Sequence, residues 1–180
     1  MGRRKILKRS LIFIMITIFG LLAYFIVSKA ITERKQVKQL HILPPFKAVK
    51  INGDSNIVKI TKFDKTIIMN YFNTHCNFCK HEIKDFISHL HLFSEIQIFL
   101  ISNQPIDTLH RFQNKLFLDT ISQINIYKCK YLDFSEKFGD VVPPTTFIYD
   151  SNKRLIRKYK GQIRASVVAN EINKYYKKNN

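Results

Sequence analysis

The stretch from Thr66 to His91 constrains this chain more than any other. Thr66 to Phe72 (TIIMNYF) is a nearly unbroken apolar run, the pattern of a strand buried on both faces. Just beyond it, Cys76-Asn77-Phe78-Cys79 opens a segment in which Cys79, Ile83, Phe86, Ile87 and Leu90 recur at helical spacing. That spacing predicts a helix over Cys76 to His91. A buried strand that hands over to an amphipathic helix implies a layered α/β domain, with helices covering a sheet.

The pattern continues on both sides. Asn56 to Thr61 (NIVKIT) reads as a strand preceded by Gly53-Asp54 as turn material, Ile96 to Ile101 as a buried strand, and Ile124 to Cys129 as a short one. Pro105 to Leu116 reads as a helix, with proline in its first turn and Leu109, Phe112 and Leu116 on one face. Phe134 to Phe138 reads as a short helix. Thr145 to Tyr149 and Leu155 to Tyr159 form a hairpin pattern that turns at Asp150-Ser151-Asn152. Arg164 to Tyr176 closes the chain as a helix, with Ala165, Val168, Ala169 and Ile172 inward. The expected fold class is α/β, a three-layer sandwich with a central mixed sheet flanked by helices.

A chain of 180 residues has room for one such domain plus an appendage, and 46% hydrophobic residues exclude a disordered tail. The appendage is N-terminal. Arg3, Arg4, Lys5, Lys8 and Arg9 form a basic start, and Ser10 to Ser28 then carries no charge. A bilayer-spanning helix needs about 20 apolar residues, within a range of about 17 to 25, and this run fits. The organisation read from the sequence is a basic cytoplasmic segment over 1–10, a transmembrane anchor over 11–28, a linker over 29–45 closing on Pro44-Pro45, and the domain over 46–180. A cleaved signal peptide is the alternative, since Ser28-Lys29-Ala30 faintly resembles a small-x-small cleavage site, although a signal core is usually only about 7–15 residues. The denser basic cluster before the span places the N-terminus inside and the domain on the extracytoplasmic, periplasmic side. The net charge of +17 comes from basic residues spread from Arg3 to Lys178 without a dense block, so no nucleic-acid partner is expected.

The chemistry lies in the cysteines. There are three, Cys76, Cys79 and Cys129, too few for a disulfide scaffold. Disulfide exchange proceeds through a thiolate, and a free thiol is mostly protonated at neutral pH. At a helix start, unpaired N–H groups and the helix dipole favour the anion, and can lower a cysteine pKa to about 3.5–7.5. Cys76 falls at that edge as the attacking nucleophile, and Cys79 falls on the apolar stripe as the sheltered resolving thiol. Three alternatives stay open. A zinc site needs four ligands, and the pair supplies two. Haem attachment wants His directly after the second cysteine, where Lys80 stands. Inert buried cysteines are the third. A non-catalytic module holding copper on Cys76, Cys79 and a distant histidine such as His110 is the rival from another class. Cys129 reads as a buried core cysteine, or as an unpaired one able to link two chains.

With these motifs in place, the sequence resembles the thioredoxin superfamily, and within it the membrane-anchored TlpA/ResA-like disulfide reductases, over roughly Phe46 to Lys174. IIMNYFNTHCNFCKHEI is similar to that group's strand, CxxC and helix. Asn70 stands where cytoplasmic thioredoxins carry a buried Asp, and Glu82 matches the group's Cys-x-x-Glu. VVPPTTFIYD resembles the stretch around the cis-proline that faces the CxxC, and Gly161 matches a glycine near the active surface. The aromatic usual before the first cysteine is replaced by His75, and the Asn-Phe pair lacks a proline. Alignment selects Pro144 as the cis residue. The residue before it pairs edge-on with an extended substrate in the family, and here that residue is Pro143, which has no N–H. Either one substrate hydrogen bond is missing, or Pro143 is cis and Val142 does the pairing.

The resemblance implies a protein-disulfide reductase with no metal and no cofactor beyond a redox-active Cys76–Cys79 disulfide. Pro143, Pro144 and His75 would meet the substrate. It also implies an exported thiol or disulfide client and a membrane electron donor. An oxidase or isomerase with the same residues is the alternative, since direction follows from potential and partner. A peroxidase site resembles Thr-x-x-Cys with an arginine nearby, and no arginine lies close to Cys76 in sequence.

Overall fold

The apolar run before the cysteines forms a strand, Thr66–Tyr71, in which every residue is buried. The structure, a computed structural model, describes residues 14–28, 40–51, 57–59 and 65–179. Among them are seven strands: β1 Lys47–Lys50, β2 Ile57–Lys59, β3 Thr66–Tyr71, β4 Ile96–Ser102, β5 Ile124–Lys128, β6 Thr145–Tyr149 and β7 Leu155–Lys160. They make one sheet in the order β2-β1-β5-β4-β3-β6-β7. β3, β4 and β5 run parallel, while β6 pairs antiparallel with β3 and places Thr146 opposite Asn70. The sheet is therefore mixed, as the sequence pattern predicts.

Helix α1 covers residues 14–28 and belongs to a separate unit. Within the domain, α2 is Asn77–Ser88, α3 Ile106–Leu116, α4 Tyr131–Phe138 and α5 Ala165–Asn179. The alternation of β3 sorts the core into two layers. Ile68 and Phe72 point to one face with Ile83 and Phe86 of α2, Leu109 of α3, and Val168 and Ile172 of α5. Ile67, Met69 and Tyr71 point to the other with Phe134 and Phe138 of α4. An isolated helix as short as α4 is not stable in water. It is held by an aromatic stack, with Phe134 at 5.0 Å from Tyr71 and 4.3 Å from Phe138 between ring centroids.

The structure departs from the sequence reading in several places: β1 is absent from that reading, and α4 begins at Tyr131 rather than Phe134. Leu40 and Leu43, assigned to the linker, are buried in the second core layer. They are tied there because Leu43 donates its N–H to the Lys153 carbonyl at 2.8 Å and Leu155 donates to the His41 carbonyl at 2.9 Å. The compact unit thus begins at Leu40 rather than Phe46. The predicted helix over Cys76 to His91 ends at Ser88, where His89 leaves helical dihedrals and its ring Nδ1 meets the Asp85 carbonyl at 2.9 Å; a 3-10 turn, Leu90–Phe93, follows. Finally, among the described residues no helix is long and apolar enough to cross a membrane. The span expected over 11–28 coincides with α1 from residue 14 onward. The basic segment over 1–10, residues 11–13 and the 29–39 part of the linker lie outside the described residues.

Candidate active site

The loop between β3 and α2 is built by Asn73. Its side-chain Oδ1 accepts the His75 N–H at 2.8 Å, and its carbonyl accepts the Cys76 N–H at 3.1 Å. Cys76 is the N-cap of α2, with φ −76° and ψ 117°. Its sulfur takes the place of the oxygen that usually caps a helix, accepting the Cys79 N–H at 3.3 Å. The first turn carries no acidic side chain. The free N–H groups of that turn therefore face a sulfur without a competing carboxylate. Cys76 is half-buried, whereas Cys79, one turn on, is fully buried. Burial pushes the Cys79 thiol up to about 12, and its contact with Cys76 and the charges of Cys76 and Glu82 act in the same direction.

Behind the pair sits a closed polar cluster. Glu82 is completely buried. Its Oε1 accepts from Asn70 Nδ2 at 2.8 Å and from the Thr146 hydroxyl at 2.6 Å, and its Oε2 accepts the Ile163 N–H at 3.2 Å. The second Asn70 amide hydrogen goes to Thr146 Oγ1 at 2.8 Å, so both donors of Asn70 are used and its orientation is fixed. Burial raises the Glu82 carboxyl to about 7, against these hydrogen bonds, which favour the ionised form.

The Pro143–Pro144 peptide bond is cis, so Pro144 is the cis residue that alignment selects. The Pro143 carbonyl lies 4.0 Å from Cys76 Sγ. The Pro144 carbonyl accepts the Gly161 N–H at 2.8 Å, and Gly161 adopts φ +87°, a conformation that disfavours any side chain. The Val142 carbonyl accepts the Thr145 hydroxyl at 2.7 Å. Pro143 therefore offers an extended partner an acceptor and no donor. Val142, next to Pro143, and Phe78, in the first turn of α2, are 75% and 66% exposed.

His75 is exposed. Its Nδ1 lies 3.2 Å from Gln104 Nε2, and Gln104 Oε1 accepts the Thr74 N–H at 2.7 Å. Because that N–H must meet the amide oxygen, Gln104 turns its NH2 to the ring, and Nδ1 is the acceptor. Gln104 thus ties the tip of β4 to the cysteine loop. His110 sits half-buried on α3, and among the described residues no group of three or more His, Cys, Asp or Glu side chains converges as a metal site. Cys129 is buried at the end of β5, its thiol pushed up to about 12 chiefly by that burial and also by Asp133.

The structure thus brings together Cys76, Cys79, Pro143 and Pro144, with His75 at the rim. It adds Thr146 and Gln104, which carry no local sequence signal because each acts across the fold. Geometry of this kind provides an accessible sulfur, a shielded one a turn away, a buried carboxyl able to exchange a proton near neutrality, and an open edge.

The AhpC/TSA family model matches residues 41–171. No curated protein matches the chain by sequence. Several solved structures share the fold. A putative thioredoxin from Neisseria meningitidis superposes with a TM-score of 0.62 at 16% identity, covering 74% of this chain and 89% of its own. A thiol:disulfide interchange protein of the thioredoxin family from Chlorobium tepidum gives 0.59 at 18% identity, covering 73% and 93%. A peroxiredoxin-like protein from Aquifex aeolicus gives 0.58 at 14% identity, covering 73% and 83%.

Proposed function

The chain belongs to the AhpC/TSA family and has the fold of the thioredoxin-like thiol–disulfide oxidoreductases, and from that premise we propose that it reduces disulfides of exported proteins through Cys76 and Cys79. One observation carries the reading: the half-buried Cys76 caps α2 while Cys79, whose N–H it accepts, is sealed behind it beside a buried acid. In the first step the Cys76 thiolate attacks a client disulfide. A Cys76–client bond forms, the client S–S bond breaks, and the leaving sulfur takes a proton from solvent. The client strand lies along the Pro143 edge, where the Pro143 carbonyl can accept one backbone hydrogen bond.

In the second step Cys79 attacks Cys76. Its thiol, held near 12, has to lose a proton first, and Glu82, held near 7 and close enough for its charge to act on that thiol, is a buried group able to receive one. The Cys76–client bond breaks, the client leaves as a thiolate, and two electrons have passed from the pair to the client. The product is a Cys76–Cys79 disulfide, which a dithiol donor at the membrane re-reduces. Anchoring by the N-terminal segment, with the domain on the periplasmic side, is part of this proposal. It is supported by the uncharged run Ser10 to Ser28 and by α1, whose apolar side chains are exposed throughout, Phe19 at 76%.

Insulin reduction tests the reading: Cys76→Ser should abolish it, and a variant that still reduces insulin at the wild-type rate contradicts the mechanism. Titration of the pair against glutathione separates a reductase from an oxidase or isomerase, which would show a markedly higher potential. A peroxidase is the second reading, favoured by the family match and by the likeness to the Aquifex protein. Hydrogen peroxide consumption faster than insulin reduction, dependent on Cys76, would establish it instead.

A further inference from the structure

Beside the cysteine loop, a groove of about 320 Å³ runs between α2 and α3. Lys80 and Lys84, one turn apart on α2, form one wall, and Arg111 and Lys115, one turn apart on α3, form the other. The floor is Phe112, which packs against Phe72 at 5.2 Å between ring centroids, and His75 closes the end next to Cys76. Two rows of like charge facing one another across a cleft repel. Three cations among the described residues, Lys65, Lys137 and Arg157, lie against carboxylates, those of Glu95, Glu136 and Glu171. Among the described residues none of the four groove cations is paired with a carboxylate, and no acid lines the groove.

We propose that this groove is a client subsite that selects an acidic segment of the polypeptide flanking the disulfide to be reduced. The inference rests on the oxidoreductase reading above for its biological role. A chain whose sulfur reaches Cys76 passes the Pro143 carbonyl on one side and meets His75 and the groove on the other. Its carboxylates then fall between two lysine–arginine walls, while any apolar side chain among them covers Phe112. A polypeptide satisfies both demands, anionic side chains and a simultaneous reach to Cys76. A lipid headgroup satisfies only the first. The groove would also steer encounter, raising association with acidic clients at low salt.

The test uses the full chain in a non-ionic detergent and two fluorescent, cysteine-free peptides, one with glutamates flanking a leucine and one with glutamines in their place. Fluorescence anisotropy at low ionic strength should show the acidic peptide binding about tenfold more tightly, the sum expected of a few partly screened ion pairs. K84E/K115E, which alters two exposed side chains, should reverse the preference toward a lysine-rich peptide, and K84Q/K115Q should erase it. A loss of fold would not produce that reversal. Equal binding of the two peptides, or a preference that survives charge reversal, overturns the proposal. So does displacement of the peptide by phosphatidylglycerol doped into the micelles at ratios where phosphatidylcholine has no effect. Because the peptides lack sulfur, the result is independent of redox activity: selective binding with no insulin reduction would leave the subsite standing and remove the oxidoreductase reading.

Discussion

Replacing Glu82 by glutamine separates the charge of the buried acid from its shape. In the folded chain the carboxyl titrates near 7 instead of its ordinary 4.5. The native state therefore holds a proton that the unfolded state releases between these values, so stability is fully present below about 4.5 and is lost as pH rises through about 7. At about 1.4 kcal/mol per tenfold in proton affinity, the loss attributable to this one group is about 3 kcal/mol. Glutamine cannot ionise. It keeps an oxygen for Asn70 and Thr146 and turns an NH2 toward the Ile163 N–H, where a protonated Glu82 also offers only weak acceptance. Near pH 4.5 the variant and the wild type should be similar in stability, within about 1 kcal/mol for the altered hydrogen bond. By pH 8 the variant should be the more stable by about 3 kcal/mol. Urea unfolding of the 40–180 unit under reducing conditions, repeated from pH 4.5 to pH 8, reads this directly. Parallel profiles separated by a constant offset would refute the reasoning, since they would mean that Glu82 is not held protonated by burial. The same variant should accumulate the Cys76–client mixed disulfide, because Cys79 has lost its proton acceptor.

Cys79→Ser should trap that mixed disulfide permanently, seen as a covalent adduct on a non-reducing gel that dithiothreitol releases. In the wild type, substoichiometric iodoacetamide at pH 7 should label Cys76 and spare Cys79, as peptide mass mapping would show. Cys129→Ser places a hydroxyl in an apolar site and should cost about 1–3 kcal/mol in urea unfolding; no disulfide-linked dimer should disappear with it, because a thiol 4% exposed does not reach a second chain. Gly161→Ala meets no neighbouring atom but must hold φ +87°, so it should destabilise the domain by about 1–2 kcal/mol. It should also raise KM for a protein client, since the Gly161 N–H fixes the Pro144 carbonyl.

What could be read from the sequence was what repeats within one element. The β3 run, the stripe of α2 and the CxxC between them are local patterns, and the stripe holds as far as Ile87 before Leu90 falls in the 3-10 turn beyond Ser88. β1 was not legible, because KAVK is a strand only through its pairing with β2, Ala48 opposite Val58, and with β5, Val49 opposite Lys128. Leu40 and Leu43 were hidden by the prolines that follow them, although Leu43 and Leu155 hydrogen bonds fasten that stretch to the hairpin. Gln104, in the loop after β4, and Thr146 of β6 reach the site across 30 and 64 residues of chain, and no short window of sequence contains both ends of those bonds. The groove was equally invisible. Lysines at four-residue spacing on one helix are ordinary surface, and only the packing of α3 beside α2 turns two such rows toward each other.

The central claim is that Cys76 and Cys79 form one reversible two-electron couple from which Cys129 is excluded. Equilibration of the full chain in glutathione buffers of graded potential, followed by acid quenching, alkylation and peptide mapping, measures this directly. A single transition in which the Cys76 and Cys79 peptides become linked together, with Cys129 remaining a thiol at every potential, is the expected result. A pair that never closes, or a bridge that draws in Cys129, contradicts it.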